Sequence, residues 1–249
     1  MNNLNLQMNI IKLDAIESTN DYLKSADFNN IQVAYTYNQY KGKGQHGNKW
    51  VSEPGKNLAF SIKIFPKNLD VKDQFKINVI FSIFIFNTLK SLNLPDIKIK
   101  LPNDIMSGNK KICGILIELK VKGNQIENII VGFGLNVNQE KFSGLPYASS
   151  LKLISNVNYE LDGISNLFIQ SLTRHNYLNE LLNLNSVFNE TLNYYNQNLY
   201  RLNYDSCFKF NNSEFIGKIK SVSSDGTINI LKKNGKVQNY NFDEVKMIY

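Results

Sequence analysis

Apolar and polar residues alternate along several short stretches of the chain and run together in two others. Leu58, Phe60, Ile62 and Ile64 recur at every second position, so residues 57–64 read as a strand with one buried face. Residues 10–13 and 32–37 read as strands too. Residues 97–101 alternate isoleucine or leucine with lysine, and residues 112–117 form a nearly unbroken apolar run. Between these two lie Pro102, which cannot donate to a ladder, and Ser107-Gly108-Asn109, which favours a tight turn, so the stretch reads as strand, loop, strand. The second strand continues to Val121, turns at Lys122-Gly123-Asn124 and returns over residues 125–137. Residues 72–92 have helical character and are apolar almost all round from Ile77 to Phe86, which implies burial against a sheet. Two weaker helices follow at 161–180 and 185–198, with apolar positions Leu167, Phe168, Leu172, Leu178, Leu181 and Leu182. After Asn203 the pattern changes to short strands at 206–210, 214–222, 227–231 and 237–242, with turns at Asn211-Asn212, Asp225-Gly226 and Asn234-Gly235. The predicted fold is α+β: a mixed sheet with packed helices over residues 1–202, then a small antiparallel barrel over 203–249.

Composition narrows the classes. A hydrophobic content of 43% over 249 residues is enough for a packed core in one large or two modest domains. The apolar run from Ile77 to Phe86 is broken by Asn78 and Ser82 and is too short to cross a bilayer. The start, Met1-Asn2-Asn3-Leu4, is not that of a secretory signal, so the expected location is the cytoplasm. Two cysteines far apart make no disulfide framework, Cys113 reads as a small buried residue, and two histidines argue against structural zinc. Of the net charge of +7, +6 falls within residues 1–150. A basic cleft there suits a polyphosphate, an acidic partner or nucleic acid, although the chain has only two arginines and no basic block.

Three stretches carry candidate chemistry. The first is residues 98–118, where Lys110 and Lys111 enter the second strand just as it becomes apolar. An ammonium at the mouth of a buried strand calls for an anion, whereas a solvated turn with two surface lysines is the plain alternative. The second is Glu17-Ser18-Thr19-Asn20, which precedes a helical stretch and has the composition of an N-cap. The third, from Gln39 to Trp50, places Gly42, Gly44 and Gly47 among Lys41, Lys43, Gln45, His46 and Lys49. Such a loop approaches a ligand closely and donates backbone N–H groups to phosphate oxygens, or is simply a flexible surface loop. Gly132-Phe133-Gly134-Leu135-Asn136 is not the dinucleotide fingerprint, because no third glycine opens a helix.

These stretches resemble the biotin protein ligases. That family has a Lys-Trp-Pro-Asn-Asp loop and then Lys-x-x-Gly-Ile-Leu; here they read Lys100-Leu101-Pro102-Asn103-Asp104 and Lys111-Ile112-Cys113-Gly114-Ile115-Leu116. The glycine loop is similar to the family's Gly-Arg-Gly-Arg-x-Gly-x-x-Trp, with Lys43 and Gln45 where arginine is common, and residues 132–136 match its Gly-x-Gly-x-Asn strand. The resemblance implies an ATP-dependent ligase that makes biotinyl-5'-AMP and transfers biotin to a lysine of a biotin carboxyl carrier protein of acetyl-CoA carboxylase or a related enzyme. It assigns Lys111 to catalysis. Ser18, Thr19, Asn20, Gln39, Lys43, Gly44, Gln45, Lys111 and Gly114 would bind biotin; Lys43, Gln45, His46, Trp50, Asn103, Asp104, Lys111 and Asn136 would bind ATP or the adenylate. Mg²⁺ would accompany ATP with few direct protein ligands, and Asp104 is a candidate either for the metal or for positioning Lys111. The C-terminal barrel would be of Src-homology-3 type. Because the match starts within twenty residues of the N-terminus, a leading DNA-binding domain, and with it a nucleic-acid partner, is not expected. No membrane partner is expected either, and the chain would be a monomer or homodimer. The rival readings are a lipoate ligase of the same superfamily and a basic nucleic-acid-binding module, for which Tyr35, Tyr37 and Tyr40 form the one candidate aromatic cluster.

Overall fold

The computed structural model describes residues 8–25, 30–174, 184–211, 213–242 and 244–248. In chain order the elements are β1 (Met8–Leu13), α1 (Thr19–Ser25), β2 (Ile31–Thr36), the two-residue strands β3 (Gly42–Lys43) and β4 (Lys49–Trp50), and β5 (Leu58–Ile64). Then come α2 (Gln74–Lys90), β6 (Ile97–Lys100), β7 (Asp104–Ser107), β8 (Lys110–Lys122), β9 (Gln125–Leu135), α3 (Leu151–Ser155), α4 (Leu161–Arg174) and α5 (Leu184–Gln197). The C-terminal part holds β10 (Ser206–Phe210), β11 (Ser213–Val222), β12 (Thr227–Lys232), β13 (Val237–Asn241) and β14 (Lys246–Ile248). Seven strands make one mixed sheet in the order β1-β2-β5-β9-β8-β7-β6, parallel only between β1 and β2, where α1 is the crossover.

Side-chain alternation assigns the two faces of this sheet. Leu58, Phe60, Ile62 and Ile64 of β5, with Val131, Phe133 and Leu135 of β9 and Cys113 and Ile115 of β8, belong to the main core. Phe168 of α4 packs there on Phe133, ring centroids 4.7 Å apart, and meets Phe84 of α2 at 5.9 Å. Helix α2 is buried on nearly all sides, from Phe75 to Leu89, as its composition requires. The opposite face carries Ala59, Ser61 and Lys63, Gly132 and Gly134, and Gly114, Leu116 and Glu118. There α1 lies across the sheet in a small separate cluster of Leu23, Ala34 and Ile130.

Several details depart from the pattern reading. Asp104–Ser107, predicted as loop, is strand β7, because four residues suffice to pair with both β6 and β8. The C-terminal strands form a five-stranded antiparallel sheet in the order β13-β12-β11-β10-β14, where a small antiparallel barrel was predicted; among the described residues its edges β13 and β14 share no ladder. Strand β14 was missed because three residues are too few to show alternation. The predicted helix at 161–180 is observed from Leu161 to Arg174, while residues 175–180, with Leu178, and also Leu181, Leu182 and Asn212 lie outside the described residues. Among the described residues no helix is long and apolar enough to cross a membrane.

Candidate active site

A cavity of about 1450 Å³ opens on the α1 side of the main sheet. Its lining includes Ser18, Thr19, Asn20, Gln39, Lys43, Gly44, Gln45, His46, Trp50, Asn103, Asp104, Lys111 and Gly114, and the C-terminal sheet adds Phe208 and Lys246. The three candidate stretches, at 18–20, 39–50 and 103–114, thus meet at one place. Of the predicted residues only Asn136 lies off this lining: it is buried, and its Nδ2 donates to Ser149 O at 2.9 Å.

Lys111 reaches the cavity through an irregularity. On β7, Ile105 and Met106 are consecutive, but their partners on β8 are Cys113 and Lys111, so Ile112 is an extra residue, a β-bulge. Lys111 and Gly114 have opposite parity and in a regular strand would face opposite ways. The bulge brings them to one side, where a Cβ on Gly114 would come within 3.2 Å of Lys111 Nζ. The Lys111 backbone is held outside the sheet as well, its N–H donating to Tyr147 O at 2.7 Å and its carbonyl accepting from Ser149 N at 3.0 Å. Lys110, by contrast, donates from Nζ to Pro146 O on the surface.

Lys111 Nζ lies 2.6 Å from Asp104 Oδ1, an ion-pair contact without hydrogen-bond alignment, and 5.4 Å from the centroid of the Trp50 ring. That ring rests on Gly114 and Gly134, which are cross-strand partners on β8 and β9. A Cβ at Gly114 would stand 2.7 Å from Trp50 Cζ3, and one at Gly134 would overlap Cε2 and Nε1. These glycines therefore make room for a protein side chain. Burial pushes the Lys100 ammonium below the ordinary lysine value; nearby Asp104 opposes the shift and Lys111 adds to it. The loop before β7 is fixed from two sides: Asn103 Nδ2 donates to Ile115 O at 2.7 Å, and Asn78 of α2 donates to Pro102 O at 2.8 Å.

The glycine loop folds over the site as the β3–β4 hairpin, with Gly44 N donating to Asn48 O at 2.7 Å. Lys41 pairs with Glu17 and Lys43 with Asp21, each at 2.6 Å, so both ammonium groups clasp the loop to the start of α1. Burial alone would raise the Asp21 pKa, but Lys43 and Lys24 outweigh it and hold the carboxyl below the ordinary aspartate value. Thr19 N donates to Gln39 Oε1 at 2.8 Å, which ties α1 to the start of the loop. Cys113 is fully buried and burial drives its thiol pKa up, as suits an inert core residue.

Sequence reasoning missed Ser61, Asn78, Lys100 and Glu118. Ser61 and Glu118 were legible in principle, since they occupy the polar face of strands whose apolar face was recognised. Asn78 was seen only as an interruption of an apolar helix, though a buried amide there requires a partner.

Residues 13–136 match the model of the Biotin/lipoate A/B protein ligase family. The bifunctional ligase/repressor BirA of Salmonella typhimurium is 28% identical over 131 residues, 52% of this chain and 41% of that protein. The biotin–[acetyl-CoA-carboxylase] ligase of Paracoccus denitrificans is 26% identical over 116 residues, 46% of this chain and 45% of that one. The matched stretch thus spans less than half the length of these relatives. In fold, the chain is similar to the biotin protein ligase of Aquifex aeolicus, solved in complex with biotin and ATP, with a TM-score of 0.80 at 23% identity over 96% of this chain and 98% of that one. With the glycine loop, the Lys111 strand and the Ser18–Asn20 turn all inside the matched segment, residues 13–136 of this chain are a domain of the biotin/lipoate A/B protein ligase family.

Proposed function

We propose that the chain activates biotin with ATP, forming biotinyl-5'-AMP and pyrophosphate, and transfers the biotinyl group to a lysine of a biotin carboxyl carrier protein. The observation that carries this reading is the convergence of hydroxyl and amide groups from 18–20 and 39, the glycine hairpin, and Lys111 with Asp104 on one cavity. The polar turn suits a neutral ring that offers N–H donors and a carbonyl; the cationic end suits carboxylate and phosphate. In the first step the biotin carboxylate oxygen attacks the α-phosphorus and pyrophosphate leaves. In the second the carrier's amine attacks the acyl carbon and AMP leaves. Both steps place negative charge beside Lys111, whose ammonium is already oriented by Asp104 and the bulge. The hairpin with Trp50 shields the mixed anhydride from water.

The side chains present do not form a resident metal site: among the described residues there is no group of three His, Cys, Asp or Glu that would hold an ion, and Asp104 already faces Lys111. Magnesium enters as part of the substrate, complexed to the nucleotide. We assign residues 1–202 to the adenylate-forming unit and 203–249 to a Src-homology-3-like unit that adds Phe208 and Lys246 to the cavity. An ATP-dependent reaction and free thiols at Cys113 and Cys207 support a cytoplasmic setting. The test is biotin-dependent exchange of labelled pyrophosphate into ATP, followed by biotin transfer to a carrier domain. Exchange driven by lipoate and not by biotin overturns the reading.

A further inference from the structure

Asn20 lines the cavity yet is only 4% exposed, and each polar atom of its amide has a protein partner. Nδ2 donates to Glu118 Oε2 at 2.7 Å, and Oδ1 accepts from Ser61 Oγ at 2.6 Å. Gly132 leaves the space for the amide, since a Cβ there would overlap Oδ1. Ser61 and Leu116 are both cross-strand partners of Gly132, and Glu118 lies two residues beyond Leu116, so β5, β9 and β8 each supply one wall of a socket. The other Glu118 oxygen, Oε1, accepts from Lys24 in the last turn of α1 at 2.6 Å. On the same face of β5 as Ser61, Lys63 Nζ donates to Leu23 O at 2.8 Å. Helix α1 is thereby held near both ends.

A carboxylate only accepts, which fixes the direction of the whole chain of hydrogen bonds. Glu118 takes the Asn20 N–H, so Asn20 Oδ1 faces Ser61 and Ser61 must commit its one proton there. Thr19 Oγ1, 2.6 Å from Ser61 Oγ and 3.2 Å from Gln39 Oε1, then has two acceptors within the protein for its own proton. What Thr19 presents to the cavity is a lone pair, fit for a ligand N–H. We infer that Asn20 is a positioning residue and not a ligand contact, and that Glu118, working through Asn20 and Ser61, orients the hydroxyl of Thr19 toward the ring N–H of the ligand. This rests on the proposed biotin ligase reading.

The test is a double-mutant cycle of Asn20→Ala and Glu118→Leu, with two readouts: biotin KM and kcat in pyrophosphate exchange, and hydrogen exchange of the α1 amides without ligand. Loss of one hydrogen bond to a charged group corresponds to a KM rise of about tenfold in each single variant, with a smaller change in kcat. The double variant should add no more than about another twofold, because both substitutions remove one linkage. Glu118→Gln keeps an acceptor for Asn20 and should recover most of the affinity. In both single variants the α1 amides should exchange faster. Multiplying KM effects, or α1 exchange unchanged in either single variant, overturns the socket. Absence of any biotin turnover by the parent chain would instead count against the ligase reading, and the hydrogen-exchange arm would still decide the socket.

Discussion

Adjacent lysines that face opposite ways provide the sharpest test of the site. Lys111→Ala removes an ammonium that points into the cavity 2.6 Å from Asp104; Lys110→Ala removes one bonded to a surface carbonyl at Pro146. The side chain of Lys111 is 32% exposed but that of Asp104 only 14%, so removing the ammonium leaves a largely buried carboxylate unpaired, at a cost of about 1–3 kcal/mol. The melting temperature should accordingly fall by about 2–10 °C with the fold retained. The catalytic cost comes on top of this. One preorganised charge at a site of developing negative charge is worth about 3 kcal/mol, or roughly two orders of magnitude in kcat/KM. Biotin-dependent pyrophosphate exchange in the parent and both variants reads this directly, with melting curves alongside. Lys110→Ala should retain the parent rate within about threefold, as a surface substitution worth under about 0.5 kcal/mol would. Equal losses in the two variants, or a parent-like rate for Lys111→Ala, would show that the bulge does not aim the reactive ammonium and that charge in this region acts only diffusely.

Other outcomes follow from the same geometry. Gly134→Ala inserts a methyl into the Trp50 ring and should weaken ligand binding by about 1–3 kcal/mol with the sheet intact; because Trp50 is the sole tryptophan, a fluorescence change at unaltered circular dichroism checks it. Asn78→Ala frees the Pro102 carbonyl and should lower exchange activity severalfold, about 1 kcal/mol, with a crystal structure showing displacement of the loop before β7. The Asp162 carboxyl is held below its ordinary pKa by hydrogen bonds from Lys12 and Tyr37. A depressed carboxyl contributes stability above its unfolded pKa near 4 and loses it as the pH falls through the lower folded value, so Asp162→Asn should flatten the acid limb of a pH–stability profile.

The sheet strands and α2 were legible because alternation and an all-round apolar helix are local signals. The site was legible as three separate stretches, each with an ordinary structural reading, and only the resemblance joined them. Pairing information was missing. No periodicity in residues 104–114 tells that Ile112 is an extra residue, so which of Lys110 and Lys111 faces the cavity could not be read from spacing. Nor could the role of Gly114 and Gly134: small residues announce space, but the occupant, Trp50, comes from a hairpin more than sixty residues earlier. The antiparallel character of the C-terminal strands was legible for the first reason and their closure into a barrel was not, since closure depends on which edges pair and not on where strands begin.

The bulge at Ile112 also divides mechanical responsibility along one strand. From Cys113 onward β8 follows its ladder with β9, whereas Lys111 hangs between Tyr147 and Ser149 of a separate segment. The glycine floor is thus set by the β9 ladder, and the ammonium by the β7 edge together with the Tyr147–Ser149 segment, as a bench and a clamp are bolted to different walls. Removing Ile112 would restore a regular ladder and leave Lys111 and Gly114 two positions apart on one face, so what the extra residue supplies is a separate anchorage for Lys111 and not merely its direction.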